Sequence, residues 1–255
     1  MSVSWPPPAN FRDLGGIPVA GGTVRPRQVF RSDDVTHAPD GFLDELVHTH
    51  GVTHVIDLRS TEESRSVDRG RLESRGIHYR NIALGAQLFV GHALPRTVRD
   101  MGEFYCRLVD QHAADLVAAL GLIAASPRGV VFHCAVGKDR TGMLAAFLLA
   151  ALGADDDAIV ADYGVTQSNL PLLVQRWRAM AQLADDLPGL PPLSVIAALD
   201  PDDMPVLMTA PVEGLRIAMA RLRERDGDLL SPLRAAGFDQ ALHDALRARL
   251  VEASP

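Results

Sequence analysis

The chain is almost without lysine. Of its 25 basic residues, Lys138 is the one lysine and every other is arginine. Cysteine is as scarce. Cys106 and Cys134 form at most one bridge, which excludes a disulfide scaffold. A surplus of positive charge is missing too: Lys+Arg is 25 against Asp+Glu 32, a net charge of −7. That is the wrong balance for sequence-independent nucleic-acid binding, which rests on neutralising phosphates. Long apolar runs are absent. The longest, 143–152, is about half of the ~20 residues a spanning helix needs, so no integral membrane association is expected. The opening MSVSWPPPANF has neither a basic leader nor an apolar segment. A cytoplasmic location is therefore expected, with export by a leaderless route left open.

What is present is core material. Hydrophobic residues make up 47% of 255, enough for a sizeable interior. A turn at Gly15-Gly16 and short apolar runs at 17–19 and 28–31 predict a hairpin around Gly21-Gly22. A short helix is expected at 41–50, a buried strand at 52–58 (VTHVIDL), a helix at 61–75 and a strand at 76–82. Residues 84–96 read as a loop. Two amphipathic helices follow at 98–112 and 114–125, then an apolar strand at 129–133. From Asp155, a plausible N-cap, the pattern is helical to 252, broken at 188–192, 201–205 and Gly227. Strands first and helices second point to an α/β protein. A core at 1–165 and a helical extension at 166–255 are expected in one domain.

The segment that carries chemistry is VVFHCAVGKDRTG, residues 130–142. A strand runs into a seven-residue loop, Cys134 to Arg140, and then into a helix. Such a loop turns successive N–H groups toward one point, and the helix N-terminus adds positive potential. The cradle of Ala135, Val136 and Gly137 suits a tetrahedral phosphate dianion. Cys134 starts the loop where the amides and the helix dipole favour a thiolate nucleophile. Arg140 closes it with a guanidinium fork matched to two phosphate oxygens. Lys138 adds charge at the rim, so the one lysine sits where an anion would. Thr141 can donate to the cysteine sulfur, and His133 orients the loop. A nucleotide-binding Walker loop is excluded: Phe132 stands where its first glycine is required, and Asp139 where Ser or Thr must follow the lysine. His48, His50 and His54 lack the partners and spacing of a metal site, and no metal or cofactor is expected.

The H-C-x5-R-T pattern of HCAVGKDRTG resembles the signature of the cysteine-dependent phosphatases. With NFRDLGG (10–16), VFRSDD (29–34), VIDLRS (55–60) and IVADY (159–163), the chain is similar to a bacterial tyrosine phosphatase branch over most of its length. The resemblance implies the cysteine-phosphatase fold, a central, mostly parallel sheet with flanking helices, and a C-terminal helical lid. It also implies a metal-independent activity on phosphotyrosine, often on phosphoserine and phosphothreonine, and on phosphoinositides. A leaving alkoxide or phenoxide needs a proton. Two carboxyls are candidates for that role, and the resemblance points to both: Asp139 inside the loop, and Asp57 at the C-terminal end of a strand, the edge where α/β sites are built. Either Asp could instead pair with Arg140 or Arg59. Arg12 and Arg59 are further substrate-binding candidates, Arg12 with the alternative of an ion pair to Asp13.

Two other functions fit parts of this pattern. A phosphate-reading module would keep the cradle without turnover, yet Cys134, Arg140 and both acid candidates are all present. A sulfurtransferase also places a cysteine on an anion loop, but has no use for Asp139 or Thr141.

Overall fold

The computed structural model describes residues 6–65, 67–85, 93–181 and 205–253. The strands are β1 (Arg12–Asp13), β2 (Pro18–Val19), β3 (Gly22–Val24), β4 (Val29–Ser32), β5 (Val52–Asp57), β6 (His78–Asn81), β7 (Gly129–His133) and β8 (Val251–Ala253). The helices are α1 (Asp40–His48), α2 (Arg69–Glu73), α3 (Val98–Ala125), α4 (Asp139–Leu152), α5 (Asp156–Ala181), α6 (Val212–Asp226), α7 (Ser231–Ala235) and α8 (Gln240–Leu250). The main sheet has the order β1-β4-β7-β5-β6. β4, β7, β5 and β6 run parallel, and β1 is an antiparallel edge.

Side-chain alternation along the central strands sets the layers. Val130 and Phe132 of β7, with Val29 and Ile56 from its neighbours, enter the large core beneath α3, α4 and the C-terminal helices. Val131, Phe30 and Val55 enter a second core that includes Leu43 and Leu46 of α1 and Leu72 of α2. Both faces of the parallel strands are thus covered, as such strands require. α4 is buried nearly all round, which marks it as the central helix.

Several details differ from the sequence expectation. The hairpin forms between β2 and β3, while β4 leaves it to pair with β1 and β7. β3 pairs instead with β8, which ties the last described residues to the start of the chain. The expected helices at 98–112 and 114–125 do form, and α3 is the two of them joined across a non-helical kink at His112 (φ −128°, ψ 20°). There the imidazole accepts from Gly85 N at 3.0 Å. Among the described residues of 61–75, only α2 is helical. α5 crosses the expected boundary at 165/166 without a break. The C-terminal helices α6, α7 and α8 pack against α3, inside the core. The expected breaks at 188–192 and 201–205 fall, except for Pro205, outside the described residues; of the extension at 166–255, where a lid was expected, residues 182–204, 254 and 255 lie outside them.

Candidate active site

β7 ends at His133, and only five residues separate it from Asp139, where α4 begins. The connection can be that tight because Gly137 takes φ +71°. A Cβ there would lie 2.5 Å from the Ser32 carbonyl oxygen and 2.6 Å from Asp33 N, so only glycine fits. Donors behind the loop take its carbonyls. Arg31 Nη2 and Asn10 Nδ2 donate to Gly137 O at 2.9 and 3.0 Å, and Asp34 N donates to Ala135 O at 3.3 Å. Carbonyls held to the rear leave amides for the front, and Gly137 N donates to Cys134 Sγ at 3.2 Å. The sulfur belongs to a 2% exposed residue, at the positive end of α4.

Arg140 lies in the first turn of α4. Its two terminal nitrogens hold Glu63 Oε2 and Oε1 at 2.6 and 2.9 Å. Burial alone would lower the Arg140 pKa, but the Cys134 sulfur and the Glu63 carboxylate outweigh it and the guanidinium is held charged. Burial likewise works to raise Glu63, and its bonds to Arg140 and Ser60 bring it below its ordinary value. Glu63 is fixed in turn by a reciprocal pair: Ser60 N donates to its carboxylate at 2.8 Å, and Glu63 N donates to Ser60 Oγ at 3.2 Å. Glu63 was not among the expected site residues. Its signal was present in the S-x-x-E spelling of 60–63, the pattern of a capping box.

Asp139 is the half-open member of the loop, its side chain 24% exposed. Tyr105 Oη donates to Asp139 Oδ1 at 2.8 Å, and Tyr163 Oη lies 2.5 Å from Tyr105 Oη. Lys138 departs from the expectation of a rim charge facing an anion. Its side chain is buried, and Nζ donates to the carbonyls of Leu207 and Thr209, on the turn Val206–Met208 and just beyond it.

Three other expected roles do not fit the geometry. Asp57 is fully buried and accepts from Arg59 N, Nε and Nη2 and from Tyr79 Oη at 2.9 Å. Burial opposes its ionisation, yet His133 and Arg59 prevail and hold it below the ordinary carboxylate value. A sealed carboxylate with these donors has neither a proton to give nor a path to a substrate. Arg59 spends its remaining donors on Asp34 Oδ2 (2.8 Å) and Thr36 Oγ1 (2.9 Å). Arg12 is committed to Asp162, Asn10 and Thr166, and not to Asp13. Burial and the neighbouring Arg31 bring its pKa down to about 10. Both arginines are structural here. Thr141 Oγ1 is buried without a hydrogen-bond partner among the described residues, so the expected bond to the sulfur is not formed. His133 is buried with Nδ1 3.1 Å from the Cys134 carbonyl, and burial lowers its pKa.

The description "tyrosine phosphatase family" matches residues 3–252 of this chain. The chain belongs to that family. It is a phosphatase, with the mixed sheet and flanking helices described above. The triple specificity protein phosphatase PtpB of Mycobacterium tuberculosis is 28% identical over 272 residues, 95% of this chain and 96% of that one. A tyrosine-protein phosphatase of Nostoc commune is 31% identical over 153 residues, 58% of this chain and 52% of its own length. Among solved structures, the core catalytic domain of the PP-IP phosphatase SIW14 from S. cerevisiae superposes with a TM-score of 0.42 at 17% identity, covering 64% of this chain and 79% of that one.

Proposed function

We propose that this phosphatase hydrolyses phosphomonoesters through a phosphocysteine on Cys134, with Asp139 as its acid and base. The observation that carries the reading is the sulfur's place: beneath the N-terminus of α4, receiving the Gly137 N–H, in the loop that Arg140 closes. The sulfur attacks phosphorus and an S–P bond forms. The ester P–O bond breaks, its electron pair goes to the leaving oxygen, and that oxygen takes the proton from Asp139. Water then attacks phosphorus, the S–P pair returns to sulfur, Asp139 takes the water proton, and phosphate departs. Arg140 and the amides of Ala135, Val136 and Gly137 face the equatorial oxygens, where charge develops.

The substrate class follows from the same residues. PtpB, named for its triple specificity, matches nearly the whole chain, so phosphotyrosine, phosphoserine or phosphothreonine, and phosphoinositide esters are the proposed range. Phosphotyrosine in proteins is placed first. Lys138, the residue that spoke for an anionic headgroup, is bound to backbone carbonyls, and a net charge of −7 disfavours an anionic membrane surface.

The test is hydrolysis of p-nitrophenyl phosphate at pH 5–7 in EDTA, wild type beside Cys134→Ser. Turnover that survives EDTA and disappears in the variant is expected. No turnover by folded, reduced wild type would leave a phosphate-reading module. Cyanide–thiosulfate activity would mean a sulfurtransferase.

A further inference from the structure

We propose that Tyr105, braced by Tyr163, is a positioning residue that holds Asp139 with its free oxygen toward the substrate. This inference rests on the reading of Asp139 as the proton donor. Asp139 has two oxygens with different surroundings. Oδ1 accepts from Tyr105 Oη at 2.8 Å and lies 3.4 Å from Lys138 Nζ. Among the described residues no donor reaches Oδ2. A carboxyl whose inner oxygen is tied must carry its transferable proton on the outer one, where a leaving group can meet it.

The donor direction is fixed by counting protons. Tyr105 has one hydroxyl proton and gives it to Asp139, so the 2.5 Å contact with Tyr163 must be donated by Tyr163. The result is a one-way chain, Tyr163 to Tyr105 to Asp139, whose members polarise one another in a dry interior. Burial and the nearby Asp139 charge raise the Tyr105 pKa well above its ordinary value, so the hydroxyl stays a donor throughout the working range.

Three elements are built around this chain. Tyr105 projects from α3, Tyr163 from α5, and both rings are buried and meet edge to face, 6.2 Å between centroids. Tyr163 reaches Tyr105 only because its ring lies flush on α4 at Gly142, where a Cβ would be 2.9 Å from the ring. The second glycine of G-K-D-R-T-G and the tyrosine of IVADY therefore serve one contact.

The test is a leaving-group series measured as kcat/KM: p-nitrophenyl phosphate, phenyl phosphate and an alkyl phosphate, with wild type, Tyr105→Phe, Asp139→Asn and the double variant. Tyr105→Phe is expected to lose less than about 2-fold on p-nitrophenyl phosphate and about 10-fold or more on the alkyl ester, because only a poor leaving group needs the proton. In the Asp139→Asn background it should add nothing. An equal loss on all esters, or a full loss that persists without Asp139, would make Tyr105 a packing residue and overturn the proposal. Should Asp139→Asn itself lose activity equally on all three esters, the acid assignment fails separately. Tyr163→Phe supplies the second variant if Tyr105→Phe folds poorly: among the described residues its hydroxyl hydrogen-bonds only Tyr105, so a weaker loss with the same leaving-group trend is expected, and a flat one counts against the chain.

Discussion

At the residue scale the site depends on how Arg140 is held. A guanidinium on a helix start has many rotamers, and a phosphate needs one of them. The two-pronged Glu63 carboxylate selects it. Replacing Glu63 by Gln keeps the size and removes the charge, and one amide N–H₂ then faces a buried cation. The variant should lose about 1–3 kcal/mol of stability near pH 7. Glu63 is held below its ordinary pKa in the folded chain, so its contribution is complete above the unfolded carboxylate value and fades as pH falls through the folded one. Urea unfolding of both proteins at pH 7 and again near pH 3.5 reads this directly. The stability gap should narrow in acid, and a gap constant with pH would show that the ion pair is not what Gln removes.

At the element scale the strand–loop–helix unit was legible because its information is local. An apolar strand, a cysteine, a glycine and an arginine within one short stretch define both the backbone and the chemistry. What supports that unit was not legible, since it comes from far away in the chain. Glu63 meets Arg140 across 77 positions, Asn10 meets Gly137 across 127, and Tyr105 meets Asp139 across 34. The motifs NFRDLGG and VFRSDD flagged the right segments, but not that Asn10 and Arg31 would grip the loop carbonyls while Arg12 turned to Asp162. Strand pairing was misjudged for a similar reason: β4 is as apolar as a hairpin partner should be, yet its parallel neighbour β7 comes a hundred residues later. Gly137→Ala tests how tightly β4 and the loop are fitted. The variant must place a Cβ at 2.5 Å from backbone and hold alanine at φ +71°. A stability loss of about 1–3 kcal/mol is expected, with kcat falling far more than the melting temperature suggests. A variant with wild-type kcat would mean that the loop amides can shift without cost to the reaction.

At the scale of the whole molecule, buried carboxylates fasten its parts together. Asp162 of α5 holds Arg12 of β1 by Oδ1 at 2.9 Å and Arg31 of β4 by Oδ2. Asp33 holds Arg176, farther along the same helix. Through these pairs α5 is joined to β1 and β4, and through Arg31, which also donates to Gly137 O, to the loop itself. The arrangement breaks badly when one partner is lost, because the other is left as a buried charge. Asp162→Asn should therefore cost about 3–5 kcal/mol, and it should weaken catalysis by releasing Arg31. The same pairs predict an acid limit. Burial would raise Asp162, but Arg31 and Arg12 bring it below the ordinary carboxylate value, and Asp34 is held lower still against its own burial by Arg59 and His37. Each gives stability that is full above the unfolded carboxylate pKa and is lost as pH falls through the depressed folded value. Melting temperature should accordingly hold through the neutral range and drop below about pH 4. Because Asn cannot titrate, Asp162→Asn should start lower and fall less steeply. Wild-type and variant curves that run parallel from pH 7 to pH 3 would remove Asp162 from the account and leave the acid limit to the general rise in positive charge.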